Sequence, residues 1–149
     1  MGTRMKAAFA CHVLANLILM GFGFAYLLRS EFMPYHAVAV GMPWDELGTG
    51  VRVLILGLMR ALGGACLAIA VLEFAVLVVP FRQGAVWARW AIPAGGLVIT
   101  AAALYAMAYV AANTPATPPW IGPAAGGVLL LIGLVLSLGR RDGLNENAG

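Results

Sequence analysis

The chain has 149 residues, of which 62% are hydrophobic and 10% charged, and its formal net charge is +3. Soluble domains are about half apolar and about a quarter charged, so this composition excludes a disordered chain, a coiled coil and an ordinary cytosolic enzyme. The two cysteines and two histidines of the chain do not have the spacing of a zinc finger. The basic residues stand singly or in pairs at the ends of apolar runs, and this pattern argues against nucleic-acid binding.

Four apolar runs are long enough to cross a bilayer, which takes about 20 residues in a helix. In chain order they cover residues 7–28, 51–79, 91–112 and 121–139. We therefore predict an all-α polytopic membrane protein, a single domain over residues 1–149 folded as a four-transmembrane-helix bundle. We also predict that residues 29–50 form an outer loop and that residues 140–149 form a cytoplasmic tail.

The first two runs contain polar residues at matching depths. His12 and Asn16 are four residues apart and share one helix face, and a rise of 1.5 Å per residue puts Glu73 at about the depth of His12. Ionisable groups are costly in lipid and usually face the bundle interior. We predict that His12, Asn16 and Glu73 form a polar cluster in the inner leaflet. The cluster either stabilises the bundle through hydrogen bonds or, alternatively, serves as a proton relay or ligand pocket.

The outer loop is too long for a simple turn and is rich in aromatic, histidine and acidic residues. Long ordered loops are often functional, and we expect its aromatic side chains to lie over the bundle as a lid. Pro43, with two acids after it, is typical of a helix start, so the second helix begins near Pro43 unless Gly48 and Gly50 break it. The candidate ligand residues of the loop are Tyr35, His36, Trp44 and Asp45.

A second candidate ligand site lies in the outer leaflet. Arg60 of the second run is at about the same depth as Tyr105 and Tyr109 of the third run, and the two tyrosines share a helix face. These three residues could bind an anionic ligand; alternatively, Arg60 extends to the outer headgroups.

Small residues recur every fourth position on three runs and predict close helix packing. On the second run they form two stripes, and the sequence leaves open whether the stripes pack within the bundle or against another chain. The stripes of the second run are Gly57, Ala61 and Ala65, and Gly64 and Ala68.

The distribution of basic residues predicts the orientation. One side of the membrane carries six of them and the other carries two, Arg29 and Arg52, so the positive-inside rule puts both termini in the cytoplasm. The six are Arg4, Lys6, Arg82, Arg89, Arg140 and Arg141.

Standard catalytic and cofactor-binding motifs are absent from the sequence. It contains no CxxC, HExxH, GxSxG, P-loop or dinucleotide-binding pattern, so we predict no catalytic residue, metal site or cofactor. Met and His residues of the outer loop follow no metal-binding spacing.

Four segments resemble a group of short four-helix bacterial inner-membrane proteins to which no activity is assigned. They are YHAVAVGMPWDEL, RALGGACLA, PFRQGAVWARWAIP and TPATPPW, within residues 30–139. The resemblance implies a multi-pass protein of the bacterial inner membrane and implies no site residue.

Two of the four runs lack ionisable residues, so no polar path crosses the predicted bundle. We therefore favour a non-enzymatic interaction, assembly or accessory subunit. Its expected partners are membrane lipid and either a second copy or another membrane subunit, with no nucleic acid. One alternative is a binder or carrier of a small lipophile (a quinone, lipid or pigment) near the outer face. Another is a small membrane enzyme that uses His12 or His36.

Overall fold

The computed structural model describes residues 1–139, and these are helical apart from short connections. No strand occurs within them. Four of the helices, one of them extended through Phe81, are long and apolar enough to cross a membrane, which confirms the predicted all-α, four-span fold. The predicted tail, 140–149, lies outside the described residues. The helices are α1 (Thr3–Leu28), α2 (Pro34–Val40), α3 (Thr49–Val76), α4 (Ala88–Asn113) and α5 (Ile121–Leu138).

Both ends of α3 differ from the predicted run. The helix begins at Thr49, and Trp44–Glu46 forms only a single 3-10 turn, so the chain follows the alternative in which a glycine interrupts the helix after Pro43. The backbone is extended at Gly48, which separates the turn from the helix. At the other end a π-helical turn, Leu77–Phe81, continues the span and contains Pro80. The wider turn fits a proline, which lacks the N–H of a regular helix.

The bundle is arranged around α1, which packs against α3 on one side and α5 on the other, while α4 packs mainly against α5. The α3–α4 contact is the smallest of these. Between α1 and α3 the backbones touch, because a Cβ atom at Gly63 would lie 2.7 Å from both the Gly23 carbonyl oxygen and the Leu27 nitrogen. Such close approach between helices is possible only with small residues.

Basic side chains satisfy the last carbonyl groups of α5. Arg4 donates a hydrogen bond to the Gly139 oxygen at 3.2 Å, and Arg89 donates one to the Ser137 oxygen at 3.3 Å. Cations suit a helix C-terminus because the backbone dipoles leave it partly negative. Residues that the sequence marks as topology signals therefore also hold three helix ends together.

Large apolar side chains cover the outside of the bundle. Leu28, Val98 and Ile121 are more than 70% exposed, at 74%, 72% and 73%. Water would not tolerate so large an apolar surface on a monomer, whereas lipid does. The protein is therefore a membrane protein, and both of its cysteines, Cys11 and Cys66, are free thiols.

Candidate functional site: a cavity inside the bundle

A cavity of about 660 Å³ lies between α1, α3, α4 and α5. This volume is within the range of about 300–1,000 Å³ that is usual for ligand pockets. Because α4 contacts α3 only slightly, the four helices do not pack around a common core where the cavity lies. The walls are apolar, and the side chains that form most of them are Ala15, Ile18, Leu19 and Phe22 of α1, Leu62 and Cys66 of α3, Ile99, Ala103, Ala106, Met107 and Val110 of α4, and Pro123 and Leu130 of α5.

One end of the cavity is closed by residues of the loop after α1. We call Phe32, Tyr35, His36 and Trp44 the aromatic cap. The ring centroids of Tyr35 and His36 are 4.1 Å apart, and those of Phe32 and Trp44 are 5.0 Å apart. Both Tyr35 and His36 line the cavity. Two loop aromatic side chains thus contribute to the cavity wall, and their role as a lid stays a prediction.

The cap is fixed to α1 through Tyr26. The Tyr26 and Tyr35 hydroxyl groups are hydrogen-bonded at 2.7 Å, and Tyr26 stacks on Phe22 with ring centroids 4.4 Å apart. Sequence reasoning missed Tyr26, although a single tyrosine one helical turn after a phenylalanine, at the end of an apolar run, is a detectable signal.

Local backbone geometry explains why α2 forms in the cap. Pro34 occupies the first turn, where a helix needs no N–H donor. Gly41 ends the helix in the left-handed conformation (φ 74°), and the N–H groups of Gly41 and Met42 both donate to the Ala37 oxygen. The seven-residue helix positions Tyr35 and His36 over the cavity.

Acidification is expected to loosen the aromatic cap through His36. Burial lowers the pKa of His36 below its ordinary value of about 6.5, and its neutral Nδ1 accepts a hydrogen bond from the Met33 N–H at 3.3 Å. His36 binds a proton more readily when the cap is open than when it is closed. The contribution of neutral His36 to the stability of the closed cap is therefore complete above about pH 6.5 and is lost as pH falls. We expect amide exchange of residues 29–48, corrected for intrinsic rates, to be faster at pH 5 than at pH 7.

The control for this prediction is His36→Gln, whose amide cannot take up a proton. Exchange in residues 29–48 of that variant should not depend on pH after the same correction. Equal corrected rates at pH 5 and pH 7 in the unmodified chain would contradict the prediction.

The opposite end of the cavity contains Glu73. This side chain is only 8% exposed, and its Oε1 atom lies against α4, where a Cβ at Gly95 or Gly96 would be 3.1 Å from it. Asn16 lies beside Glu73 and donates from Nδ2 to the Ala70 oxygen at 2.9 Å. Within residues 1–139, Glu73 Oε1 and Asn16 Oδ1 are both buried without a hydrogen-bond partner.

The His12 side chain packs against α5 and Phe81. Its ring lies against Gly133 of α5, where a Cβ would be 2.6 Å from the ring carbon Cε1, and its centroid is 5.6 Å from that of Phe81. Neither ring nitrogen has a hydrogen-bond partner among the described residues. The structure therefore brings Asn16 and Glu73 together, while His12 makes no hydrogen bond to Glu73.

The residues predicted to form an outer-leaflet ligand site do not form part of the cavity. Arg60 is exposed, and Tyr105 and Tyr109 are 74% and 62% exposed. None of the three lines the cavity, and their outward position fits the alternative in which Arg60 extends along the lipid surface. In the loop, Trp44 belongs to the cap and Asp45 is exposed outside the cavity.

Comparison with known proteins gives one informative similarity. No family model and no solved structure matches the chain. The apolipoprotein N-acyltransferase of Rhizobium rhizogenes (strain K84 / ATCC BAA-868) is 35% identical over 109 residues, which is 72% of this chain and 19% of that protein. The chain thus spans about a fifth of the relative's length. It is a four-span membrane protein similar to one part of a larger bacterial protein.

Proposed function

We propose that the chain binds a single-chain lipophilic molecule in the cavity, with the long axis of the ligand along the bundle. The supporting observation is the shape and lining of the cavity: apolar walls, the aromatic cap at one end and Glu73 at the other. The Asn16–Ala70 and Gly23–Gly63 contacts set the register of α1 against α3. At 1.5 Å per residue this register separates the levels of Tyr26 and Glu73 by about 20 Å.

An elongated ligand suits this length. About 20 Å is two-thirds of the hydrocarbon thickness of a bilayer, which is about 30 Å. Lipid tails are already apolar, so moving a chain from the bilayer into the cavity gains little from the hydrophobic effect. Affinity must instead come from close packing with the walls and from the polar groups at the two ends.

The side between α3 and α4 offers an entrance from the bilayer. These helices make a much smaller contact than the α1–α3, α1–α5 and α4–α5 pairs. Leu62 of α3 and Ala102 and Ala106 of α4 line the cavity and are also exposed. A lipophile could therefore enter sideways from the membrane, without crossing the aromatic cap.

The similarity to an N-acyltransferase supports the ligand class. That relative is named for the transfer of an acyl group, and an acyl group includes an apolar chain of the kind the cavity would accept. We propose chain binding alone for this protein, because it spans 19% of the relative. With both termini cytoplasmic in a bacterial inner membrane, the aromatic cap would lie at the outer face.

The other two function classes remain predictions. An interaction or accessory subunit would use the lipid-exposed faces, on which no partner is defined. An enzyme built on His12 would need that ring to reach a substrate, but His12 does not line the cavity. His36 lines the cavity, yet its Nδ1 accepts the Met33 N–H, which leaves only Nε2 for chemistry.

Filling the cavity should weaken lipophile binding. Ala103 lines the cavity, whereas Ala101 on the same helix is exposed and does not line it. After extraction in mild detergent, we expect native mass spectrometry to detect a retained lipophile on the unmodified chain. Ala103→Phe should raise the Kd for the lipophile about tenfold, equivalent to about 1.4 kcal/mol of binding free energy, and lower the occupied fraction accordingly.

Ala101→Phe is the matched control and should retain the lipophile as the unmodified chain does. The proposal fails if the unmodified chain carries no adduct when supplied with bilayer lipids, or if the two phenylalanine variants retain equal amounts.

A further inference from the structure

Glu73 is an acid in an apolar cavity without a cationic partner. Its carboxyl group is about nine-tenths buried, and it lies among the cavity-lining residues. Within residues 1–139 the ion pair formed is Arg29–Glu31, which belongs to the loop after α1. The lysine and arginine side chains of this part of the chain stand outside the cavity wall. An unpaired carboxylate in such surroundings is costly, so its retention needs an explanation.

The neighbouring polar atoms make the site rich in acceptors. Glu73 Oε1 and Asn16 Oδ1 are both buried without a donor among the described residues. One of the two N–H groups of Asn16 Nδ2 donates to the Ala70 oxygen. A ligand in the cavity that supplies hydrogen-bond donors would satisfy the remaining acceptor capacity of the two oxygen atoms.

We propose that Glu73 binds the protonated amino group of the lipophile, so that the cavity selects alkylammonium molecules over alcohols and fatty acids of equal chain length. This inference rests on the proposed function and names its substrate class. An ammonium group offers up to three donors and cancels the carboxylate charge. A hydroxyl group offers one donor and leaves the charge unpaired, and a fatty acid adds a second acceptor group.

Gly95 and Gly96 make room for this arrangement. A side chain at either position would begin 3.1 Å from Glu73 Oε1 and would cover the carboxyl group from the α4 side. The site is therefore a carboxyl group flanked by Asn16 and by bare α4 backbone, with its open side facing the cavity.

The test compares three probes of one chain length: dodecylamine, dodecanol and dodecanoate. Radiolabelled probes are measured by equilibrium dialysis against the protein in phosphatidylcholine nanodiscs, and binding to empty nanodiscs is subtracted. We expect the unmodified chain to bind dodecylamine about tenfold more tightly than dodecanol, because the ammonium group both donates hydrogen bonds to the carboxylate and neutralises its charge.

Two variants identify Glu73 as the origin of this preference. Glu73→Gln should bind dodecanol as before and lose the preference for dodecylamine, while Glu73→Asp should keep the preference. Glu46→Gln, at an exposed acid outside the cavity, is the matched control and should leave all three affinities unchanged.

The outcomes separate this inference from the proposed function. If the three probes bind equally and Ala103→Phe weakens their binding, the cavity binds chains but the assignment to Glu73 is wrong. If no probe binds above empty nanodiscs, the proposed function itself fails. An unchanged amine preference in Glu73→Gln would also overturn the inference.

Discussion

Gly63→Ala is expected to destabilise the bundle by about 3 kcal/mol, although it adds a single methyl group. The added Cβ would lie 2.7 Å from the Gly23 oxygen and 2.7 Å from the Leu27 nitrogen. Both are backbone atoms of α1 and cannot rotate away, so α1 and α3 would have to separate over several turns. Alanine gains about 1 kcal/mol over glycine in helix propensity, which is smaller than the packing loss.

The neighbouring glycine provides the matched control for this prediction. A Cβ at Gly64 would meet no atom within 4 Å, so Gly64→Ala should be neutral or slightly stabilising. Unfolding of both variants in bicelles, measured by steric trapping, gives the two free-energy differences directly. Equal stability of Gly63→Ala and Gly64→Ala would show that the α1–α3 backbone contact is absent.

This pair of glycines also shows what sequence reasoning can and cannot predict about packing. Small residues in apolar runs correctly indicate close helix approach. The stripes of the second run do not make the contact with α1, because Gly57 and Gly64 are open and the contact is made by Gly63 against Gly23. Packing of those stripes against another chain, the alternative that the sequence left open, stays a prediction. The spacing of small residues shows that they share one helix face. The direction in which that face points depends on how the helix is rotated about its axis, and all of its neighbours together set that rotation.

The candidate site, like the helix packing, could be predicted from the sequence only in part. Hydropathy and length were sufficient to predict four spans, whereas the membrane depths inferred from the rise per residue stay predictions. Depth also does not fix direction: Arg60, Tyr105 and Tyr109 have the same predicted level but are exposed outside the cavity. The cavity itself was not predictable, because it results from the small α3–α4 contact, and a helix–helix distance leaves no trace in a single sequence.

His12 and Gly133 are expected to behave as a complementary pair in which either single change is severe. His12 is 1% exposed, and removing its ring with His12→Ala leaves a void beside Phe81 that should cost about 3 kcal/mol. Gly133→Leu alone should cost a similar amount, because a Cβ there would lie 2.6–2.9 Å from three ring atoms of His12.

The double variant His12→Ala/Gly133→Leu should recover about half of the summed loss and be no less stable than either single variant, with a coupling energy of about 3 kcal/mol in a double-mutant cycle of unfolding free energies. The leucine would occupy the space of the imidazole. The double variant would also lack the two buried ring nitrogens, which have no hydrogen-bond partner within residues 1–139. Pairing His12→Ala with Gly57→Leu, a glycine with open space around it, should give no recovery. A polar role for His12, as a proton relay with Glu73, predicts instead that no apolar replacement restores the protein, so the cycle decides between packing and chemistry at this residue.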